Sequence, residues 1–431
     1  MTQNPRLTAS LVSRWGDDPW ALGSWSLIGR GGSPADRVAL GVPVGDRLRI
    51  AGEATHPSRA GMTHGAYEQG VGAATWAAEA GHRRVAVVGA GMAGLGAART
   101  LTGYGVRTEV WEARGRIGGR AYGVDLDGFT FDLGANWLQQ YDGNALARIA
   151  EELSLPVIAT DFGDPLVLGS PSAGAPGGLE RELRARLERA SPQDAIADVV
   201  EQWLRDPAPF TADEILRLVD AEIVVDSGAP LSWLSARHGF EPGVGEGDRW
   251  IVGSYRLLAD HLAERLDVRL ERPVRSVRIG EHEVTLVADG FEEAFDAVIV
   301  TVPLPVLKQG RIEFEPPLPP PHRTALERLG AGRVEKVVLR FDHRFWPVHP
   351  AGYYRVHGPE ATCVSEWLDA TEADGVPTIV GLFAGPWLDR IWSGSDDDVA
   401  ARAAEIFQRA RACPADQRSQ IRAAMSSTDD R

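Results

Sequence analysis

The sequence predicts an α/β fold in which a parallel-sheet domain carries a second, α+β lobe. Three observations lead there. Val85–Val88 is a short, continuously apolar run, as expected of a strand covered on both faces of a parallel sheet. It opens straight into a glycine-rich turn, Gly89-Ala90-Gly91-Met92-Ala93-Gly94. A helical stretch, Met92–Tyr104, and a second strand, Thr108–Trp111, complete a strand–helix–strand unit. Helix-like and strand-like segments then alternate without any sequence repeat. The 431 residues leave room for two or three domains.

Taken in order, residues 1–10 read as a loose terminus. Residues 11–28 are rich in Trp and Ser, with Trp15, Trp20 and Trp25 evenly spaced. Leu48–Ala51 is a short apolar strand. His64–Ala80 has small and apolar residues at helical spacing, and Gly81 stops it. Asn144–Ala221 is mostly helical, over 144–153, 178–190, 192–205 and 211–221, with a soft loop at 169–178. Tyr255–Leu266 is another amphipathic helix. Strands are expected at 268–270, 274–279, 284–287, 297–302, 334–341 and 377–383. Pro316–Pro321 is a stiff turn, and a last helix covers 398–412.

The formal charge of −15 argues against nucleic acid or an anionic membrane as partner. It suits a cationic substrate, although an acidic surface also serves plain solubility. No apolar run is long enough to span a bilayer, and no secretory leader is visible. Two cysteines, Cys363 and Cys413, suit a reducing compartment, so a cytoplasmic protein is expected. The scattered His residues make no metal-ligand cluster, and no metal is expected. Lys308 and Lys336 are the two lysines of the chain; all other basic side chains of the Lys/Arg set are arginine.

The glycine turn has the chemistry of a dinucleotide site. Gly89 permits the tight turn, Gly91 lets backbone approach a pyrophosphate, and Gly94 packs helix on strand. The helix N-terminus, with Met92 and Ala93 in its first turn, faces the anion. Glu112 ends the next strand, where a carboxylate binds both ribose hydroxyls and selects against a 2′-phosphate.

The following run, Glu112-Ala113-Arg114-Gly115-Arg116-Ile117-Gly118-Gly119-Arg120, resembles the flavin amine oxidase family of monoamine, polyamine and L-amino-acid oxidases. Phe131-Asp132-Leu133-Gly134-Ala135-Asn136-Trp137 resembles the family's next motif, which passes the flavin. Ile299–Leu304 resembles the strand returning to the cofactor domain, and Val274 sits where the family's adenine-contacting valine lies. Val334–Phe341 with Phe345-Trp346 resembles the strand whose lysine, here Lys336, holds a water at flavin N5. The likeness covers most of residues 11–390 and is loose over 143–250. It implies a Rossmann-like FAD-binding domain of the amine-oxidase type. Arg114 and Arg120 have guanidinium forks suited to phosphate oxygens.

The modules stand in an unexpected order. The family's closing elements are a Trp-rich strand, a Gly-Ser-aromatic-Ser turn, a Gly-Glu motif and a final helix. Here they come first, as Trp15, Gly23-Ser24-Trp25-Ser26, Gly52-Glu53-Ala54-Thr55 and Thr63-His64-Gly65-Ala66-Tyr67. Each appears once, so a circular permutation is expected rather than a tail fused to a beheaded second copy. The implied domains are 1–84 completing the FAD domain, 85–142 its Rossmann core, 143–265 a mostly helical substrate region, 266–310 return strands, 311–395 the substrate-domain sheet, and 396–431 a helix and tail. Glu53, after Gly52, is then expected near ribityl or ribose hydroxyls. The backbone at Met62 and Thr63 is expected to cap a helix beneath the flavin, whose N-terminus favours negative charge.

The resemblance implies hydride transfer from the carbon beside an amine nitrogen to flavin N5, imine hydrolysis, and reoxidation by dioxygen to hydrogen peroxide. The partners are then an amine and dioxygen, with a polyamine or other cationic amine as leading substrate. Trp20 falls on one aromatic wall of the family's flavin site and Met62 on the other, where it breaks the pair. Gln139 stands where some polyamine oxidases carry His or Glu. No cysteine near Trp20 offers a tether, so FAD is expected to be non-covalent. Trp233, Trp367, Trp387 and Trp392 are expected in the core. Two alternatives remain open. One is an L-amino-acid oxidase or flavin desaturase, for which Arg237, Arg249 or Arg256 would take a carboxylate. The other is a non-catalytic FAD-binding interaction protein. The oligomeric state is not legible.

Overall fold

The computed structural model describes residues 5–169, 177–241 and 247–410. Two sheets organise it. The first is a five-stranded, all-parallel sheet in the order Asp267–Arg269, Arg107–Trp111, Arg84–Val88, Ala297–Val300, Leu48–Ile50. Its central strand Arg84–Val88 is apolar and buried from Val85 on because both faces are covered, Val85 and Val87 by helix residues such as Ala77 and Leu95, Ala86 and Val88 by residues of a neighbouring sheet such as Val277 and Phe295. Helix Met92–Gly103 crosses over it, and helix Thr63–Glu79 packs along that helix. The two helices approach closely through small residues. A Cβ on Gly70 would run into the carbonyl oxygen of Ala93, and one on Gly96 would press on the Tyr67 ring.

The second sheet has six strands in the order Leu7–Val12, Val334–Phe341, Thr378–Ala384, Val364–Asp369, Tyr353–His357, Leu166–Gly169, with the last pair parallel. Its two faces have different tasks. Val337, Leu339, Tyr354, Trp367 and Phe383 pack on helix Asp396–Ala410 through Val399 and Phe407. The alternate residues, including Lys336, Val338, Tyr353, Arg355 and Glu366, face the interior. A four-stranded sheet (Phe291–Phe295, Val284–Ala288, Val274–Ile279, Glu313–Glu315) flanks the parallel one. Helices Leu179–Arg189, Ile196–Leu204 and Ala212–Val219 form a separate apolar cluster with Leu27 and Leu234.

Several expectations change. Part of the stretch 1–10, expected to be loose, is ordered: Leu7–Val12 is an edge strand pairing antiparallel with Val334–Phe341. Its mixed polar and apolar residues carry no clear period, so the partner strand rather than local pattern makes it a strand. The helix expected at 211–221 runs on through a π-type turn, Asp220–Val224, to Ser227. Trp233 is 59% exposed instead of buried, whereas Trp367, Trp387 and Trp392 are core. The loop expected at 169–178 falls largely outside the described residues, as do residues 1–4, the last two residues of the helix expected at 398–412, and Cys413.

Candidate active site

A cavity of about 490 Å³ runs from the glycine turn to the inner face of the six-stranded sheet. All of the predicted site residues but one line it: Trp20, Gly52, Glu53, Met62, Thr63, Gly89, Gly91, Met92, Ala93, Glu112, Ala113, Arg114, Gly119, Arg120, Gly134, Ala135, Asn136, Trp137, Gln139, Val274 and Lys336. The exception is Gly94, which packs beneath the turn. A Cβ there would collide with the Gly89 carbonyl oxygen and crowd Thr301 Oγ1. Gly89 itself has φ +102°, which a side chain would resist.

One end is built for a nucleotide. Glu112, almost fully buried, accepts the Ala90 N–H at 2.7 Å and the Arg114 N–H at 2.9 Å, so it braces the turn. Arg114 donates to Asp18 at 2.8 Å. The second glycine run closes on the first: Gly118 N–H donates to the Ala90 carbonyl at 2.8 Å, and a Cβ on Gly119 would stand 3.2 Å from Gly91 Cα. Trp20 belongs to this neighbourhood. Its N–H donates to Asp18 at 2.8 Å, and Arg311 lies 5.8 Å from its ring.

Glu53 marks the middle. It is 6% exposed and accepts from Ser26 Oγ at 2.6 Å, the Gly61 N–H at 2.9 Å and Arg120 Nη1 at 3.1 Å. Burial pushes its carboxyl up, but Arg120, Ser26 and Arg37 outweigh that and hold it below the usual carboxylate range. Two helices open on the cavity with bare N-termini. Gly91 and Met62 are their N-caps, neither has a capping side chain, and neither helix has an acidic residue in its first turn. Buried Asn136 Oδ1 and Trp137 Nε1 have no hydrogen-bond partner among the described residues. Unsatisfied N–H groups at two helix starts, paired arginines, and a braced carboxylate fit a dinucleotide with an anionic pyrophosphate and a ring system carrying its own donors and acceptors.

Trp20 and Trp25 both line the cavity, and Trp25 is the one that stands against Gly61, the residue before Met62. A Cβ on Gly61 would lie 3.4 Å from the Trp25 side chain, and Trp25 Nε1 donates to the Asp226 carbonyl at 3.0 Å. Both tryptophans stand in the same Trp- and Ser-rich stretch, so spacing alone does not tell which one meets the Gly61–Met62 turn.

Lys336 lies on the inner face of its strand at 5% exposure. Its Nζ donates to the carbonyls of Asp132, at 3.3 Å, and Gly134. Burial lowers its proton affinity, partly offset by the Asp132 carboxylate.

The far end was not foreseen from sequence. Glu366 accepts from Arg355 at 2.9 Å and from the Tyr353 hydroxyl, while Arg355 also donates to Glu222 at 2.8 Å. Asp226 lies one turn beyond Glu222. Among the described residues it has no ion-pair partner, and burial, reinforced by Glu366, Glu222 and Glu241, pushes its carboxyl up to about 7. Two carboxylates thus share one guanidinium, and a third, Asp226, lies near enough to both to feel their charge. The available signal was a lone Glu in the otherwise apolar-facing alternation Val364, Glu366, Leu368, which by itself reads equally as a strand edge. Arg237, Arg249 and Arg256 do not line the cavity. Arg249 stacks on Tyr141, and Arg256 pairs with Asp260.

Comparison with known proteins agrees with this geometry. The family model for flavin containing amine oxidoreductase matches residues 2–76 and 241–424, together more than half of the chain, and that for an NAD(P)-binding Rossmann-like domain matches 87–153. Polyamine oxidase 2 of Arabidopsis thaliana is 30% identical over 356 residues, covering 75% of this chain and 72% of that protein. Probable polyamine oxidase 4 of the same plant is 29% identical over 353 residues, covering 73% and 69%. Lysine-specific histone demethylase 2 of Homo sapiens is 30% identical over 297 residues, but the matched region is 35% of that protein's length. A solved putrescine oxidase with putrescine bound superposes with a TM-score of 0.59 at 23% identity, over 77% of this chain and 82% of that one, which is a likeness of fold. The chain belongs to the flavin-containing amine oxidoreductase family and is an FAD-dependent oxidase acting on CH–NH bonds.

Proposed function

We propose that the chain oxidises a di- or polyamine, with one amine presented at Lys336 and a distal ammonium taken by the carboxylates around Glu366. The observation that carries this reading is the unequal charge at the far end. Glu222 and Glu366 share one guanidinium, Arg355, while the neighbouring Asp226 has no ion pair among the described residues. A cationic ligand group completes the balance.

Bound FAD would supply the acceptor for a hydride from the carbon beside the nitrogen, with dioxygen as the final oxidant. The residues that would hold it are those of the glycine turn, Glu112, Arg114, Gly119, Arg120, Glu53, the Gly134–Trp137 stretch, Val274, and the start of helix Thr63–Glu79. The rest of the work is positional. Trp25, Trp137, Phe162 and Tyr353 give the passage apolar walls that keep water from the reacting carbon. Lys336 has two N–H groups consumed by carbonyls, so its third position, a proton or a lone pair, is left to face the cavity. A group held this way binds a water or takes a proton at a defined point. FAD is held non-covalently, since among the described residues no cysteine lines the cavity.

A carboxylate-bearing substrate is less well served. Of the arginines at the far end, Arg355 is held between Glu222 and Glu366, and Arg184 pairs with Glu180. The cytoplasm is the proposed site of action; among the described residues, no helix is long and apolar enough to cross a membrane. A circular permutation is proposed for the order of modules. In support, Leu48–Ile50 pairs with Ala297–Val300, helix Thr63–Glu79 lies on Met92–Gly103, and only Ala80–Arg83 joins that helix to strand Arg84–Val88.

A peroxide-release assay across diamines, polyamines, monoamines and amino acids tests the substrate. Di- or polyamines should give the highest kcat/KM. Turnover of amino acids alone, or no bleaching of the flavin by any amine without oxygen, would refute the reading.

A further inference from the structure

We propose that Asp132 is a positioning residue for Lys336: its backbone carbonyl holds the lysine amine, and its carboxylate, fixed by Ser254 and Tyr255, sets how readily that amine takes up a proton. The consequence for catalysis rests on the proposed placement of Lys336 at the flavin; the pairing itself does not.

Asp132 ends strand Phe129–Asp132 and is 3% exposed. Its two ends do different things. The carbonyl accepts from Lys336 Nζ at 3.3 Å. The carboxylate turns the other way, accepting from Ser254 Oγ at 2.6 Å and the Tyr255 N–H at 2.9 Å. Tyr255 extends the chain of contacts, its hydroxyl lying 2.6 Å from Thr63 Oγ1 at the first turn of the helix that opens on the cavity. One residue thus ties Lys336 to that helix start.

Ser254 carries the strongest hint. It is a buried non-glycine residue at φ +142°, a backbone conformation that a side chain rarely adopts. Glycine would sit there without strain. What glycine lacks is the hydroxyl that Asp132 accepts. Strain kept at a buried polar contact beside a cavity points to a role for that contact.

The other charges near Lys336 are spoken for. Glu335, next in the strand, points to the opposite face and accepts from Ser13 Oγ, the Trp15 and Gly16 N–H groups and Arg333. Glu366, on the same face, is held by Arg355 and Tyr353. Arg340 pairs with Asp374. Tyr255 is neutral at physiological pH, its hydroxyl raised further by burial. The Trp137 ring lies 5.7 Å from Nζ. Asp132 is left as the carboxylate that acts on the lysine. Burial raises the Asp132 carboxyl and lowers Lys336, each moderated by the other.

The composition makes this testable directly. With only two lysines in the chain, 13Cε-labelled lysine gives two signals in the holoenzyme, and Lys308→Arg assigns them. Asp132→Asn is an isostere that keeps both contacts if the amide turns its oxygen to the Tyr255 N–H. Loss of the negative charge should lower the Lys336 titration midpoint by about 1 pH unit. Ser254→Gly relieves the backbone and removes the donor that favours the ionised carboxylate. It should move the midpoint the same way by less, and it carries the test if Asp132→Asn does not fold. The matching limb of the rate of anaerobic flavin reduction against pH should move with it. An unchanged Lys336 midpoint in a folded variant overturns the proposal. A shifted midpoint with an unmoved flavin-reduction profile upholds the pairing and refutes the placement of Lys336 at the flavin.

Discussion

Lys336 and Glu366 occupy one cross-strand row of the six-stranded sheet, with Leu382 between them. Lys336 pairs with Leu382, and Leu382 pairs with Glu366, both in antiparallel register. Residues directly opposite in an antiparallel pair share a face. With strands about 4.8 Å apart, the backbone positions of the two residues are held about 10 Å from each other by backbone hydrogen bonds alone. The sheet therefore sets the spacing between the two ends of the cavity that the proposed function assigns to reaction and to recognition. A short α,ω-diamine fits such a span; a monoamine can use only one end.

Substituting Glu366 should accordingly split substrates by charge. Glu366→Gln keeps the volume and the Tyr353 contact but removes the negative charge, leaving Arg355 to Glu222. A hydrogen bond to a charged group is worth about 1.5–3 kcal/mol, so kcat/KM for a diamine should fall roughly 10- to 100-fold. The same variant should handle an apolar monoamine with nearly wild-type kcat/KM. Steady-state kinetics on both substrates decide it, and an equal loss on both would remove Glu366 from recognition.

Asp226 should make cation binding and stability respond to pH in opposite directions. Its native pKa of about 7 lies above the ordinary value of 3.8, so the folded protein holds a proton that the unfolded chain has lost. The cost of this group is absent below the unfolded value, grows as pH rises, and is complete above about 7. Asp226→Asn should therefore raise Tm by a few degrees at about pH 8 and change it little near pH 4. Cation binding runs the other way, because ionised Asp226 attracts an ammonium. A permanently charged bis-guanidine, followed by its perturbation of the flavin spectrum, should bind more tightly as pH rises from about 5.5 to about 8.5, and the variant should lose that slope. A slope that survives in Asp226→Asn would assign it to another group.

The nucleotide end was legible in the sequence because its physics is local. A glycine that must turn at positive φ, a glycine that must admit a carbonyl, and a carboxylate at a strand end are readable one residue at a time. The recognition end is written in register. Glu366, Arg355 and Tyr353 meet Lys336 only through three successive strand pairings, and nothing local to Val364–Asp369 announces them. Glu222 and Asp226 interrupt an amphipathic pattern, which reads as the end of a helix. In fact the helix continues, because those carboxylates face the cavity instead of solvent. The contact of Trp25 with Gly61 has the same cause, since that turn comes from a different segment of the chain.

Two glycines in helix Thr63–Glu79 should respond to alanine with opposite signs. Gly70 faces Met92–Gly103, where a methyl group would strike the Ala93 carbonyl. Gly72 is exposed, with nothing within 4 Å of where its Cβ would be. Gly72→Ala should stabilise the protein by about 0.5–1 kcal/mol through lower chain entropy in the unfolded state. Gly70→Ala should cost about 1–3 kcal/mol and weaken FAD retention, because the helix that carries Thr63 is pushed off its neighbour. Urea unfolding and flavin content of the purified proteins test both, and similar behaviour of the two variants would refute the close-packing account.

Restoring the family's order of modules should leave the enzyme intact. Helix Asp396–Ala410 already lies against strand Leu7–Val12, with Gln408 Nε2 donating to the Pro5 carbonyl at 3.2 Å and Trp392 Nε1 to the Ser13 carbonyl at 2.9 Å. Arg14 and Asp396 add an ion pair at 2.8 Å. A short Gly/Ser linker from residue 410 to residue 5 therefore joins ends that are already neighbours. The new break goes into the Gly81–Arg83 turn, where Gly81 has φ +83° and open space around it. No strand pairing or cavity residue is cut, and the cost of closing a loop changes by only about 0.6 kcal/mol for each doubling of its length. The rearranged chain, beginning at strand Arg84–Val88 and ending at helix Thr63–Glu79, should bind FAD with the same visible spectrum and oxidise the same amine. A rearranged protein that folds but cannot retain FAD would show that the turn does more than connect, and would count against a permutation as the origin of this order.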